Sequence, residues 1–243
     1  MNRANDHQYS LINEKISEKQ KELEQHHLFE LMKSHTPSTR FIKKLLAMQL
    51  GYNIYFISAL ANMRKVFCGH DKFLCSFLDP HMASEFGADI ELVDLHQKGV
   101  THIKMIFSLI DSMNMSPQEK CNWGQDCNNF FNFGIVNLIG GDDKAVALGA
   151  LFADEIYANC WFSHFYKFIK KFSIENDLEL DLEFFSSHAN EIEPAHQDHA
   201  ILLRSYCHSL NLNELGFNEG IELFGKEIVI LFDSLANTLL SKN

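Results

Sequence analysis

The sequence predicts an all-α protein, and three observations carry this prediction. The chain of 243 residues has only four prolines and twelve glycines, too few for the frequent turns of a many-stranded sheet. Hydrophobic residues make up 46% of it and charged residues 22%, a balance typical of one globular domain with a sizeable core. Apolar residues recur at spacings of three and four along most of the chain, which is the period of amphipathic helices.

The N-terminal quarter predicts two helices. The first is polar, with apolar residues at helical spacing, and extends from about Gln8 to Ser34. In the following "SHTPST", Thr36 is a candidate helix cap and Pro37 a candidate first helical residue. We expect the second, strongly apolar helix to end near Arg64.

The middle of the chain predicts three shorter helical segments. The segment 71–86 contains Pro80, where we expect a break. The stretch "GADIELVDLHQKGVTHIKMIFSLIDSM" follows, with apolar residues three and four apart. Ser116–Glu119, "SPQE", then form a capping box with a proline in the first turn, so another helix begins there.

The C-terminal half predicts the centre of the fold. From Gly140, "GGDDKAVALGALFADEIYANCWFSHFYKFIKKF" is apolar on more than one face for about thirty residues, as expected of a buried central helix. Further helices begin at "LELDLEFFSSH" and in "NLNELGFNEGIELFGKEIVILFDSLANTLL". There is no repeat, low-complexity segment or evident linker. We therefore expect residues 1–243 to form a single domain of seven or eight helices.

Charge and composition narrow the class of protein. A formal net charge of -11 argues against a nucleic-acid partner, because such proteins need clustered lysine and arginine. The N-terminal "MNRANDHQYS" lacks the apolar core of a signal peptide, and no run approaches the about eighteen apolar residues of a membrane span. The six cysteines form no CxxC pair. We therefore expect a reduced, cytoplasmic protein without a membrane partner.

The stretch 184–203, "FFSSHANEIEPAHQDHAILL", places three histidines and three carboxylates in an otherwise apolar helix. Glu193 and His196 stand three residues apart, so both side chains project from one side of the helix and can meet one metal. His188 lies two turns earlier, and Glu155 lies inside the apolar central segment, where an ionised carboxylate needs a partner. Together these four residues predict a metal site.

Pro194 lies within the same helix and removes one backbone donor, so we expect a local bulge or kink. Such a bulge would let Glu193 turn inward. Glu191 keeps the three-residue spacing with His188 and remains an alternative. Glu85, at a predicted helix end, and either His96 or His102 are further candidate ligands.

The order of these motifs resembles that of the heme-oxygenase-like helical proteins, a group that includes TenA, PqqC and the chlamydial death-domain-associated protein. The resemblance covers residues 26–205 and rests on "QLGYNIYFISAL", Glu85 with Gly87, His102 with "SMNMSPQ", "VALGALFADE" and the histidine-rich helix. It is closest to the di-iron oxidase and oxygenase branch of the group. By that resemblance, two irons would be held by Glu85, His102, Glu155, His188, Glu193 and His196.

Two departures from the family pattern affect this assignment. The family's last helix usually places its carboxylate four residues after the first histidine, whereas Glu193 comes five after His188. The interval from Glu85 to His102 is also long, which keeps His96 open. TenA and PqqC relatives lack the metal set, so the fold by itself does not imply iron.

The resemblance implies a non-haem di-iron oxidase or oxygenase that uses O2 on a small organic metabolite, with two iron ions or a manganese and iron pair. In the chlamydial relative a tyrosine of the protein is thought to become the p-aminobenzoate skeleton, which gives a p-aminobenzoate-synthase-like hypothesis here. Tyr52 and Tyr55 are the candidate catalytic residues, and Tyr157 is a further candidate for the pocket lining.

Two other classes of function stay open. One is a metal-free enzyme or small-molecule binding module of TenA or PqqC type, and the other is a helical interaction or regulatory protein. Bound metal distinguishes the first hypothesis from both. We further expect a small-molecule substrate and a homodimer.

Overall fold

The computed structural model describes residues 14, 16–69, 71–85, 101–128, 134–209 and 213–241, and inside these ranges the side chains of 83–85 and 191–199, among others, lie outside the description. Every regular element of the described residues is helical, which confirms the all-α prediction. The α-helices are α1 16–24, α2 His27–Ser34, α3 Thr39–Met63, α4 Lys72–Glu85, α5 His102–Ser112, α6 Pro117–Asn128, α7 Ile135–Ile139, α8 Lys144–Tyr157, α9 Asn159–Glu175, α10 Glu183–Ser187, α11 Glu193–Ser209 and α12 Glu214–Leu240.

Helix α8 lies at the centre of the fold and has its most extensive contact with α12. The two helices approach closely because Gly149 and Gly220 present no side chain where they meet. A Cβ atom on Gly149 would lie 2.0 Å from the carbonyl oxygen of Phe217, and one on Gly220 would lie 2.1 Å from that of Val146. Two backbones therefore contact each other directly at the middle of the core.

The predicted central helix is interrupted at Ala158, which separates α8 from α9. The N–H of Trp161 donates to the carbonyl of Ala158 at 3.2 Å, and the Gln20 side chain donates to the carbonyl of Ile156 at 3.3 Å. A side chain that enters the hydrogen-bond ladder is a known cause of helix breaks. Because other predicted helices are divided as well, the described residues form more and shorter helices than the seven or eight expected.

The first predicted helix is divided at His26. This imidazole is the N-cap of α2, where its Nδ1 accepts a hydrogen bond from the N–H of Leu28 at 3.2 Å. The predicted start of the next helix was also wrong, because Ser38, and not Thr36, caps α3 and accepts from the N–H of Phe41 at 3.2 Å.

Two local predictions about proline in the middle of the chain had different outcomes. The capping box at the start of α6 is confirmed, since the N–H of Ser116 donates to Glu119 Oε2 at 2.8 Å and the N–H of Glu119 donates to Ser116 Oγ at 3.3 Å. The break at Pro80 was wrong, because α4 continues through it. A proline inside a helix removes the bond to the carbonyl of residue i−4 and crowds that carbonyl, and at Pro80 these effects do not end the helix.

The bulge predicted beside Pro194 is confirmed. A π-helical turn, His188–Ile192, joins α10 to α11. Such a turn accommodates one extra residue within an α-helix and is frequent at functional sites. A second π-helical turn, Arg64–Cys68, follows α3 and was not predicted. No helix in the described part of the chain combines the length and apolar composition needed to cross a bilayer.

Candidate functional site

A pocket of about 70 Å³ lies among helices α3, α5, α8, α9 and α12. We call it the central pocket. Aromatic and aliphatic side chains form most of its wall, including those of Phe56, Trp161, Phe162, Phe165 and Phe232. Its polar lining consists of Gln49, Tyr52, Asn53, His102, Asp154, Glu155 and His188.

Three of the six predicted metal ligands meet in this pocket. His102 is the first residue of α5, Glu155 belongs to α8, and His188 begins the π-helical turn. Their exposed fractions are only 3%, 2% and 4%. Burial of a carboxylate and two imidazoles in an apolar wall is unfavourable unless the groups are bound to partners or to a metal.

The ring of His188 is held in one orientation. Its Nδ1 lies 2.6 Å from the carbonyl oxygen of Phe184. A carbonyl oxygen only accepts, so Nδ1 carries the proton and Nε2 carries the lone pair. The ring also stacks on Phe162, with centroids 4.6 Å apart. Metal-binding histidines usually donate their second ring nitrogen to a carbonyl or carboxylate in this way.

His102 is positioned by the start of its helix. The Thr101 hydroxyl caps α5 by accepting from the N–H of Lys104 at 3.0 Å, which fixes the first turn where His102 lies. The His102 ring meets the edge of Phe184, with centroids 5.7 Å apart. Phe184 also contacts the ring of His188 at 4.3 Å, so one aromatic side chain supports both imidazoles.

The donor set fits iron or manganese in its chemistry, because imidazole nitrogen and carboxylate oxygen are ligands for both. With Glu85, Glu193 and His196, the predicted set would have six members, which is more than one ion needs.

The remaining predicted ligands fall where less is described. Glu85 is the last residue of α4, and Glu193 and His196 lie in the first turn of α11. Their side chains lie outside the described part of the structure, as does that of the rival Glu191. His96 lies wholly outside the described residues.

Sequence reasoning missed a polar wall on α3 and α8. The hydroxyl of Tyr52 donates a hydrogen bond to the carboxylate of Asp154, and the Gln49 amide donates to Asn53 Oδ1 at 3.0 Å. Gln49, Asn53 and Asp154 are buried. The signal was present in the sequence, since Gln49 and Asn53 are four apart in an apolar helix, and a polar pair at that spacing shares one face.

The three tyrosines proposed for the pocket have different positions. Tyr52 lines the central pocket, whereas Tyr55 is half-buried against the core and is not part of the described lining. Tyr157 is buried and lines a separate groove beside Glu22 and Glu222. Burial raises the pKa of Tyr157 well above its usual value.

No protein-family model matches the chain, and no curated protein is significantly similar to it.

Proposed function

We propose that this protein is a non-haem oxidase or oxygenase that uses O2 on a small organic molecule, with two iron ions, or manganese and iron, in the central pocket. The convergence of buried His102, Glu155 and His188 on this one pocket carries the proposal. An anionic carboxylate would offset part of the charge of a divalent ion and imidazoles would donate lone pairs to it, while the ion would offset the cost of burying these groups.

The three described residues would hold the metal together with Glu85, Glu193 and His196. His188 would bind through Nε2, since its Nδ1 proton is directed to the carbonyl of Phe184. The π-helical turn supports Glu193 as the next ligand. In such a turn the backbone hydrogen bonds join residues that are five apart, and Glu193 comes five residues after His188. When bound, iron supplies the reaction with O2, which no amino-acid side chain performs alone.

The chain itself would select the substrate and exclude water. The aromatic wall of the central pocket offers few partners to water, while the Tyr52–Asp154 and Gln49–Asn53 pairs offer hydrogen bonds to one polar group of a ligand. The volume of about 70 Å³ corresponds to about five to seven waters, since each needs about 10–15 Å³. This volume limits the substrate to a small molecule.

The p-aminobenzoate-synthase-like form of the proposal is narrower, because the oxidised group is then a tyrosine of the chain. Among the three candidates, Tyr52 lines the central pocket and is therefore our choice. A single-turnover reaction followed by peptide mass spectrometry tests it. Loss of mass from the peptide that contains Tyr52 would support the p-aminobenzoate-synthase-like form. If Tyr52 is intact after turnover, it is not the oxidised residue.

Anaerobic loading with Fe(II), followed by exposure to O2, tests the function as a whole. We expect about two ions per chain, a transient visible absorbance and O2 consumption, because six candidate ligands exceed what one ion needs. The His102→Ala variant should lose the bound iron, the transient absorbance and the O2 consumption. The matched control is His164→Ala, since His164 stacks on Phe29 and is not part of the described pocket lining. Less than about half an ion per chain after loading contradicts the proposal.

A metal-free enzyme or binding module is the second candidate. The Tyr52–Asp154 and Gln49–Asn53 pairs favour it, because they offer a small ligand hydrogen bonds from side chains outside the candidate metal set. In that case the protein would bind or convert its ligand equally well in the presence of a strong chelator. Chelation that abolishes activity, with recovery on adding Fe(II), rejects this candidate.

A further inference from the structure

A second group of metal-binding side chains lies on the surface, where the start of α2 meets α12. We call it the His–His–Asp cluster, and it consists of His26, His27 and Asp233. Nε2 of His26 lies 3.4 Å from Asp233 Oδ1, and Nδ1 of His27 lies 3.8 Å from the same oxygen. One donor atom from each residue lies within 4.8 Å of the others.

These separations are close to those of a bound ion. With bonds of about 2.0–2.2 Å to nitrogen and oxygen, the ligand atoms of a tetrahedral site are roughly 3.3–3.5 Å apart. The His26–Asp233 distance already has this value, and the His27–Asp233 distance of 3.8 Å is slightly longer. Two imidazoles and one carboxylate leave at least one coordination position for water.

Of the three proposed ligands, His26 is largely buried, whereas His27 and Asp233 are exposed to solvent. The His26 side chain is 9% exposed, and its ring meets the edge of Phe232 with centroids 5.4 Å apart. His27 and Asp233 are 56% and 52% exposed, so an ion can reach them from solvent. Burial and the neighbouring His27 lower the pKa of His26, against the opposing effect of Asp233 and Glu22.

Metal binding has to compete with a helix cap. Nδ1 of His26 accepts from the N–H of Leu28, so the ring proton resides on Nε2. An ion on Nε2 requires that proton to move to Nδ1, which ends the hydrogen bond to Leu28. The exchange releases no proton overall, but it makes binding weaker than in a site whose tautomer is already correct.

We propose that His26, His27 and Asp233 form a surface site for a divalent transition-metal ion of the Zn²⁺ class that joins the start of α2 to α12. The site is independent of the function proposed for the central pocket. Nitrogen and carboxylate ligands with an open position are typical of zinc and its neighbours, and unsuited to calcium or magnesium, which prefer oxygen alone.

Titration of the whole chain with Zn²⁺, and with Co²⁺ for its visible absorbance, tests the site. His27→Ala and Asp233→Asn should each weaken binding of one equivalent about tenfold or more. Glu30→Gln is the matched control, since this exposed carboxylate lies in the same first turn of α2 and pairs with Lys33 at 2.7 Å. It should change the affinity less than about twofold, because an exposed charge acts only weakly.

Comparing metal binding by the two ligand variants and the control decides whether the site exists. Unchanged stoichiometry and affinity in His27→Ala and Asp233→Asn overturn the site, and so does an equal loss in Glu30→Gln, which would indicate general attraction to negative charge. Loss only in the two ligand variants supports it. Repeating the titration in Glu155→Ala removes a ligand of the central pocket, and the surface equivalent should persist there even if the proposed oxidase function fails.

In the Glu155→Ala background, which removes a candidate ligand of the central pocket, Zn²⁺ should also raise the thermal midpoint, because a ligand that binds only the folded state stabilises it. Adding Asp233→Asn to that background should abolish the rise. His27 and Asp233 are about half exposed, so substitutions at these two positions should leave the chain folded. An equal rise with and without Asp233→Asn would contradict the site.

Discussion

The imidazole ring of His102 meets that of His188 edge-on, with centroids 4.7 Å apart, although the two belong to different helices. Both rings are packed against Phe184, and His188 is also fixed by its bond to the Phe184 carbonyl. Orientation by packing and outer hydrogen bonds is what a metal or catalytic site requires of its inner residues.

Glu155→Ala should abolish iron-dependent O2 consumption and leave a folded protein. The variant loses a candidate ligand, but it also removes a buried charge whose burial was unfavourable. Circular dichroism, iron content and O2 uptake measure the three properties. Glu219→Ala, at an exposed position of α12, is the control and should behave like the unaltered chain. A helix-depleted Glu155→Ala that still holds iron would assign Glu155 a structural role.

Glu193→Gln should reduce iron occupancy more than Glu191→Gln does. The π-helical turn His188–Ile192 precedes Glu193, and we expect the extra residue absorbed there to turn Glu193 toward the pocket. We expect about a tenfold or greater loss of affinity, as when groups that support a site are removed. Iron content after identical loading provides the comparison. A larger loss of iron in Glu191→Gln would identify Glu191 as the ligand. If both variants retain iron equally, neither residue is a ligand.

Tyr52→Phe should lower the free energy of unfolding by about 1–2 kcal/mol, because it removes a hydrogen bond to a carboxylate. Iron occupancy should stay unchanged while substrate turnover falls, since Tyr52 is proposed to position the ligand. Urea unfolding and iron analysis are the measurements. Tyr166→Phe, outside the described pocket lining, should alter stability by less than about 0.5 kcal/mol. Unchanged turnover in Tyr52→Phe would remove it from the substrate-binding wall.

Gly220→Ala should destabilise the fold by about 1–3 kcal/mol, the range typical of overpacked cores. The new Cβ would lie 2.1 Å from the Val146 carbonyl oxygen, a backbone atom that cannot move aside. Gly225→Ala on the same helix is the control, because its Cβ would meet only the flexible Lys19 side chain at 3.3 Å. The urea midpoint should fall for the first and stay or rise for the second. Equal midpoints would show that α8 and α12 can separate without cost.

Local features were predictable from the sequence, and features made by distant residues were not. The Ser116–Glu119 capping box needs only neighbouring atoms, and the turn before Pro194 follows from one missing donor. The break at Ala158 involves Gln20 from another helix, so no local pattern reveals it. An imidazole cap at His26 is outside the usual set of capping residues.

The same distinction between local and distant features applies to the candidate site. The residue types of the metal set were visible as polar groups in apolar helices, and their cost of burial made them conspicuous. The bond between Tyr52 and Asp154 was not visible, because it depends on how α3 faces α8. Helical period places residues on a face, but only tertiary packing decides which faces meet.

The π-helical turn His188–Ile192 is also a point at which one residue could be deleted without disrupting the helix that follows. Deleting a single residue inside a π turn converts it to an ordinary α turn, and the helix beyond it keeps its phase. Buried residues of α11, such as Leu203 and Cys207, would then keep their places in the core. The deletion would displace only the groups beside His188. Sequence length at this turn can therefore vary under selection on the pocket while the fold stays intact.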